Sequence, residues 1–344
     1  MAGVQTAGVT QTQEKVLVTF PVPYKGVMRN ASEVEIPRDA LWTGENLHFV
    51  EGELRQRPSW NLARNATVAA PPATAPITGV WSARRAGTRN QFLFVGGVAN
   101  ICVLGSAGWV NPVGNWGGTR GRYQMVRFTE IALGTPLITH VIAVNGVDFP
   151  LDVTIPAATN PVLTSTVSQT SAPKWRDVCT ASDRIVGITD TEVQWGEILR
   201  LDVWPELNVK SLAETLDFAV AIRPLSTLNT GIWKERSFWV GQAVGGSSAS
   251  YFRWKLLKWV EGPASASAVT HDSKGNWYWM TKTGRIVKMD AGYTITYPGD
   301  GVWPIVRRQM SPLFTEYSDC HAVYRPFYDE VWFFYGGLPD QAGT

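Results

Sequence analysis

The sequence has few cysteines and histidines, and neither residue type is clustered. Cys102, Cys179 and Cys320 lie far apart, and no pair has the two-residue spacing of a zinc or redox site. The odd count also disfavours a disulfide framework, although one bridge with one free thiol stays open. The four histidines form no HExxH pattern: they are His48, His140, His271 and His321. We therefore expect no metal site and no cofactor.

The chain also lacks a strong charge excess and long apolar runs. Its 31 Lys and Arg against 29 Asp and Glu leave a net charge of +2, so no global attraction to nucleic acid or anionic membranes is predicted. No apolar run approaches the roughly 18 residues of a membrane span, and the first residues do not match a signal peptide. With 44% hydrophobic and 17% charged residues, we expect a folded protein made in the cytoplasm, without a membrane span.

What the sequence has in excess is 16 Trp, 32 Gly and 21 Pro, a composition that favours short strands separated by turns. Six segments combine aromatic or β-branched residues with glycine-bearing turns, and their centres recur on average about every 47 residues, near the length of a four-stranded blade. These segments are 91–104, 140–146, 184–195, 237–256, 276–289 and 330–337. The pattern predicts an all-β, six-bladed β-propeller. Two β-sandwich domains are the alternative, because sandwiches show similar turn spacing.

The propeller is predicted to occupy residues 77–344, after an N-terminal arm and linker over residues 1–76. Residues 61–76 are rich in Pro and Ala and are typical of an extended connector. The last sheet would lack a strand, so we expect N-terminal residues, either 15–20 or 46–55, to complete the last blade and cover its edge. Residues 155–173 are predicted as a long loop outside the blades. The only segment that favours a helix is Ser211 to Ala221.

Residues 45–58 combine Glu45-Asn46, Gly52 and Arg57-Pro58 in a spaced motif, and with it the N-terminal region resembles the opening of tail proteins of tailed bacteriophages. In that family an "ENxxxxxGxLxxRPG" stretch precedes a β-propeller, and residues 45–58 are similar to it. The residues that match are Glu45, Asn46, Gly52, Leu54, Arg57 and Pro58, whereas Ser59 stands where the family usually has Gly.

Later motifs extend the resemblance over most of the chain. Residues 123–128 and 141–148, which include Asn145 and Gly146, are similar to the family's "RFxxF…VIAVNGxD" hairpin. Asn-Gly also readily adopts the positive φ angles of a tight turn. Residues 174–178 with 183–186, and Ala268 with 284–287, look like two later blades.

The resemblance implies a non-enzymatic structural virion protein, a tail nozzle or tail hub assembled in the host cytoplasm. Such a protein would form a ring of six copies beneath the head–tail adaptor, extend the channel for double-stranded DNA, and dock tail fibres, a spike or a needle. A near-neutral charge suits a conduit, because each neutralised phosphate would add affinity and slow the passage of DNA.

Local basic residues are the candidate contacts with that DNA. The loop 114–122 is rich in Gly and ends in two arginines, but it lacks the Lys-Ser/Thr ending of a P-loop. Together with arginines near the first blade, it gives a set expected to touch backbone phosphates. The set is Arg84, Arg85, Arg89, Arg120 and Arg122.

Two other functions compete with the conduit. A carbohydrate- or receptor-binding module would use loop aromatics beside Gly or Pro to stack on sugars, and the candidates are Trp109, Trp116, Trp233 and Trp303. A glycan-cleaving enzyme would need two facing carboxylates. The spacing of the candidates marks no pair, so no catalytic residue is predicted; they are Asp148, Asp152, Asp177, Asp183, Asp190 and Glu192. Residues 271–277 are interpreted as a structural aspartate turn.

Overall fold

The chain falls into two compact units, Met1–Asn61 and Leu62–Thr344. In the first, β1 (Leu47–Val50) pairs antiparallel with β2 (Glu53–Gln56). The motif residues Asn46, Gly52, Arg57 and Pro58 lie outside the described residues. The computed structural model describes residues 47–50, 53–56, 79–87, 91–96, 101–105, 108–110, 123–131, 138–155, 164–167, 174–201, 204–301, 303–309, 320–327 and 329–335.

The second unit contains five antiparallel four-stranded sheets, in each of which consecutive strands are neighbours. The first sheet holds β3 (Gly79–Arg84), β4 (Gln91–Gly96), β5 (Ile101–Gly105) and β6 (Gly108–Val110). The second holds β7 (Gln124–Glu130), β8 (Ile138–Val144), β9 (Leu151–Ile155) and β10 (Thr164–Val167). The third holds β11 (Asp177–Ala181), β12 (Arg184–Ile188), β13 (Glu192–Trp195) and β14 (Val209–Ser211).

The remaining sheets follow the same order. The fourth holds β15 (Ala219–Pro224), β16 (Asn229–Lys234), β17 (Ser237–Ala243) and β18 (Phe252–Trp259). The fifth holds β19 (Val269–His271), β20 (Trp277–Met280), β21 (Ile286–Met289) and β22 (Ile295–Thr296). A two-stranded sheet, β23 (His321–Arg325) with β24 (Glu330–Phe334), comes last. A short helix, α1 (Trp303–Gln309), precedes it.

Packing between consecutive sheets identifies the architecture as a β-propeller. Each of five buried apolar clusters joins one sheet to the next, as in the cluster that combines Trp195 of the third with Trp239 of the fourth. The first strands meet their counterparts, with β7 against β11, β11 against β15, and β19 against β23. A propeller consists of four-stranded sheets, its blades, which pack face to face in chain order. The first strands of neighbouring blades lie next to one another, as they do here. This arrangement overturns the sandwich alternative.

The predicted number of complete blades is wrong. Each predicted segment lies in a different sheet, but the structure shows five four-stranded blades, because the sixth segment forms only the hairpin β23–β24 within the described residues. The described part of that sheet ends at Tyr335. The expectation that N-terminal residues complete this blade stays a prediction.

Two further predictions of local structure are wrong. Residues 155–173 are not wholly outside the blades, since they contain β10, the outer strand of the second blade. Residues 211–221 form no helix: Ser211 ends β14, Ala219 begins β15, and the carbonyls of Leu212 and Thr215 in the turn between them accept hydrogen bonds from the buried Lys234 Nζ at 2.8 and 2.9 Å. In a helix, these carbonyls would accept amide protons four residues later.

Glycine leaves room for a large aromatic ring at two places in the blades. A Cβ atom added at Gly187 would lie 2.3 Å from the ring of Trp175, and one added at Gly241 would lie 2.4 Å from the ring of Trp254. Large rings can therefore lie directly on the neighbouring strand. Among the described residues, no helix is long and apolar enough to cross a membrane.

Candidate functional site

The described arginines of the predicted DNA-contacting set lie at one end of the first blade. Arg84 is the last residue of β3 and is exposed, and Arg85 follows it and is half-buried. The chain then turns at Gly87, whose φ of +70° favours glycine. Arg89, Arg120 and Arg122 lie outside the described residues, so their contribution stays a prediction.

Arg127 is a further cation at this site that the sequence reasoning did not select. It lies on β7, the first strand of the second blade, and is exposed. Its Nη1 donates a hydrogen bond to the backbone oxygen of Arg84 at 3.2 Å, so basic residues of two blades lie side by side. The signal was present in the motif over residues 123–128, which contains this arginine.

Hydrogen bonds between blades fix the position of this basic end. The amide of Ala86 donates to Thr139 Oγ1 at 2.8 Å and joins the first blade to the second. Thr180 Oγ1 of the third blade donates to the backbone oxygen of Arg127 at 3.0 Å. The arginines therefore project from connected strands, an arrangement suited to phosphate contacts. We call Arg84, Arg85 and Arg127 the arginine end.

An acidic cluster around a histidine belongs to the same two-blade region. His140 Nδ1 lies 2.9 Å from Asp152 Oδ1, and its Nε2 lies 3.2 Å from Glu130 Oε2. Burial by itself would lower the pKa of His140, but the hydrogen bond and charge of Asp152, followed by those of Glu130, raise it. Both ring nitrogens lie within hydrogen-bonding distance of a carboxylate, so His140 is a structural partner of Asp152 and Glu130 rather than a free general base. Within the described ranges, no group of three or more His, Cys, Asp or Glu side chains is arranged to hold a metal ion.

Asn145 and Gly146 form the turn after β8, which agrees with their prediction as turn residues. Gly146 has a φ of +78°, and Asn145 Oδ1 accepts hydrogen bonds from the amides of Val147 and Asp148 at 3.0 and 2.8 Å. The connection runs on to Leu151, so it is longer than a two-residue hairpin. The amide of Gly146 donates to the oxygen of Trp175 at 2.7 Å, which ties this turn to the third blade.

Most of the carboxylates considered for catalysis hold structural positions. Asp148 accepts a hydrogen bond from Asn145, and Asp190 pairs with Arg176. Asp177 is buried and pairs with Arg223 of the next blade.

The aspartate turn over residues 271–277 is confirmed. Asp272 Oδ1 accepts the amides of Lys274 and Asn276, both at 2.9 Å, and Gly275 has a φ of +81°. Burial by itself would raise the pKa of Asp272, but hydrogen bonds from Asn276, Lys274 and Tyr278 lower it. The carboxylate thus holds the β19–β20 turn.

The predicted sugar-stacking aromatics do not form one surface. Trp233 is fully buried in β16, so its prediction as a loop aromatic is wrong. Trp109 lies in β6 and Trp303 in α1, both half-buried rather than in open loops. Trp116 lies outside the described residues.

A surface cluster around Trp303 was not predicted. The guanidinium of Arg285 lies 3.8 Å from the ring centre of Tyr297 and 5.9 Å from that of Trp303. Arg285 Nε and Nη2 each donate to the carboxylate of Asp300 at 2.9 Å. The indole of Trp303 donates to the oxygen of Thr283 at 3.0 Å. We call Arg285, Tyr297, Asp300 and Trp303 the aromatic cluster.

Comparisons with known proteins give no family. No protein-family model matches the sequence, and no curated protein matches it. Among solved structures, the WD40 domain of SCAP from fission yeast aligns over 57% of this chain and 52% of that one, about half its length, with 10% identity and a TM-score of 0.35. A complex of the fission yeast SREBP–SCAP binding domains aligns over 80% of this chain and 81% of that one, with 6% identity and a TM-score of 0.41.

Proposed function

We propose that this protein is a structural component of a bacteriophage tail, a nozzle of six copies that extends the channel for double-stranded DNA. Its partners would be the head–tail adaptor and a tail fibre, spike or needle, and its location would be the virion. The observation that carries the proposal is where the motif residues lie in the propeller. Asn145 and Gly146 form the turn after β8, and Asp177 begins the first strand of a blade.

The motif residues also connect blades. Asp177, in the motif over 174–178, accepts a hydrogen bond from Arg223 Nη1, while Arg223 Nη2 donates to the oxygen of Ala266 at 2.6 Å. These contacts account physically for a motif that marks the start of a blade. They support a resemblance that extends beyond isolated sequence matches.

Assembly is the first test. Mass photometry and negative-stain electron microscopy of the full-length protein should show a ring with six times the monomer mass, alone or after addition of the adaptor. Immunogold labelling of phage particles should place the protein on the tail. A protein that stays monomeric with the adaptor, together with particles that carry no label, would contradict the proposal.

In this function the arginine end would contact passing DNA through its phosphates. Arg84→Ala/Arg85→Ala/Arg127→Ala should weaken binding of the isolated protein to duplex DNA and reduce its salt dependence, because each lost phosphate contact removes about 0.9 from the slope of log K against log salt. Arg120→Ala/Arg122→Ala tests the second basic segment. If neither variant changes DNA ejection, these arginines do not contact DNA in the channel.

The aromatic cluster favours the second candidate, a carbohydrate- or receptor-binding module. Tyr297 is exposed, and the Arg285–Asp300 pair beside it supplies charged groups that can hydrogen-bond sugar hydroxyls. A glycan array probed with the full-length protein should then show binding that Tyr297→Ala reduces and Tyr278→Phe leaves unchanged. The absence of glycan binding by an assembled ring would leave the conduit as the only candidate.

A further inference from the structure

The outer strand of the fourth blade is unlike the other outer strands. β6 and β14 have three residues, β10 has four and β22 has two, whereas β18 has eight. Short outer strands are a common protection against pairing with other chains. β18 pairs only with β17 in its sheet, and its outward backbone groups have no hydrogen-bond partner within the described residues. This blade therefore presents a long, open edge.

One face of β18 carries a row of positive charges. Arg253 and Lys255 are exposed, and they lie opposite Gln242 and Val240 of β17. Lys258, opposite Phe238, continues the row. Residues two apart on a strand share a face at a spacing of about 6.6 Å. No ion pair engages Arg253 or Lys255 within the described ranges.

Lys258 differs from the other two cations because it has an acidic neighbour. The pKa of Asp290 is lowered mainly by the backbone hydrogen bond from Thr294, and Lys258 adds a smaller contribution. The two cations at the other end of the row, Arg253 and Lys255, are therefore the ones open to a partner.

The other face of β18 is apolar. Phe252, Trp254 and Leu256 alternate with the cations and pack into the cluster shared with the third blade. Trp259, opposite Ser237, is 67% exposed at the end of the strand. On a strand added beyond β18, every second side chain would therefore lie beside the positive charges. The side chains between them would lie beside the apolar face.

We propose that β18 is a docking site for an extended segment of another protein in which acidic residues alternate with apolar ones. The segment adds a fifth strand to the fourth blade. Main-chain hydrogen bonds to the open edge supply affinity, and the alternation supplies specificity. The charge complementarity with Arg253 and Lys255 selects an acidic partner. This site goes beyond the proposed conduit and does not depend on it.

The competing explanation is that the cations only prevent the edge from pairing with other sheets, a common use of lysine on edge strands. The two explanations predict different results. A purely protective edge binds no acidic peptide, and loss of its charges causes self-association.

The test uses the full-length protein and a fluorescent peptide of about nine alternating glutamate and valine residues, a length that matches the open strand. Binding is measured by fluorescence anisotropy at low salt. A peptide with lysine in place of glutamate should bind at least tenfold more weakly, and so should one with a central proline. Hydrogen exchange should show slower exchange of amides in residues 252–259 when the acidic peptide is bound.

Arg253→Gln/Lys255→Gln should weaken binding of the acidic peptide at least tenfold, and Arg253→Glu/Lys255→Glu should make the lysine peptide the preferred ligand. The matched control is Lys174→Glu/Arg307→Glu, two exposed cations elsewhere, which should stay within twofold of the wild type. Thermal unfolding checks that each variant is folded. Three results would each overturn the proposal. They are no binding of the acidic peptide, an affinity of the glutamine variant within twofold of the wild type, and exchange protection outside β18.

Discussion

Arg223 of the fourth blade donates a hydrogen bond to the carboxylate of Asp177, the first residue of the third blade's first strand. The same carboxylate accepts the amides of Val178 at 2.9 Å and Ile222 at 2.8 Å. Arg223 also reaches the oxygen of Ala266, just before the fifth blade. The ion pair between buried Asp177 and partly buried Arg223 thus connects three successive blades.

Asp177→Ala is expected to lower the free energy of unfolding by about 3 kcal/mol, because it removes the buried carboxylate to which Arg223 and the amides of Val178 and Ile222 donate. Urea unfolding followed by tryptophan fluorescence measures the change. The control is Asp190→Ala, which removes the exposed ion pair with Arg176 and should cost no more than about 1 kcal/mol. Equal effects of the two variants would show that the Asp177 pair does not hold the blades together.

Lys234→Met should destabilise the protein by about 3 kcal/mol. The fully buried Lys234 Nζ donates to Leu212 and Thr215 and lies 3.2 Å from Asp217 Oδ1, so methionine leaves several buried acceptors unpaired. Lys210→Met is the control, since its ion pair with Glu214 is exposed and should contribute no more than about 1 kcal/mol. The same urea series measures both, and a Lys234→Met variant as stable as the control would refute the prediction.

The His140 cluster predicts a stability that depends on pH. The folded pKa of His140 is raised, so its stabilising contribution is fully present below the unfolded pKa of about 6.5 and is lost as the pH rises through the folded pKa. His140→Gln should flatten the loss of stability that the wild type shows as the pH rises above about 6.5. Urea midpoints across this range give the measurement.

His271→Gln is the control for that pH series. His271 is exposed, and no carboxylate lies within hydrogen-bonding distance of it among the described residues. This variant should keep the pH dependence of the wild type. A wild-type stability that rises from pH 6 to 8 would contradict the expected sign.

Gly241→Ala should destabilise the fourth blade by about 1–3 kcal/mol, because the new methyl group would lie 2.4 Å from the Trp254 ring and force it to move. Gly292→Ala is the comparison, since its nearest neighbour is the side-chain oxygen of Asp290 at 3.3 Å in an exposed turn. Thermal unfolding of both variants measures the difference. If the two melt at the same temperature, the close approach of Trp254 to Gly241 does not limit stability.

The sequence predicted the strands that carry their own pattern. The six aromatic segments lie in six different sheets, and the turns at Gly146 and Asp272 form where turn residues predict them. The outer strand β10 was missed because its side chains give no alternating apolar signal over Thr164–Val167. The helix predicted at 211–221 does not form, since this segment is a turn between β14 and β15 that contacts Lys234, a residue of the following strand, β16.

In the candidate site, too, some residues could be predicted from the local sequence and others only from the packing of strands. Arg84 and Arg85 could be selected from local charge in the sequence. Arg127 belongs with them only because strand packing brings it close enough to donate a hydrogen bond to Arg84, from which it is distant in sequence. Likewise, Trp233 stands beside Gly231 and Ile232 in the sequence and was predicted as a loop aromatic, whereas the packing of two blades buries it.

By itself, the sequence determined the all-β class, the approximate blade spacing and the aspartate turn, because alternation, glycine placement and short-range hydrogen bonds act over a few residues. The tertiary structure decided the number of four-stranded blades, the partners of Asp177 and Lys234, and the open edge at β18. Each of these depends on which strands lie beside one another, and residues far apart in the chain meet only when neighbouring sheets bury their faces together.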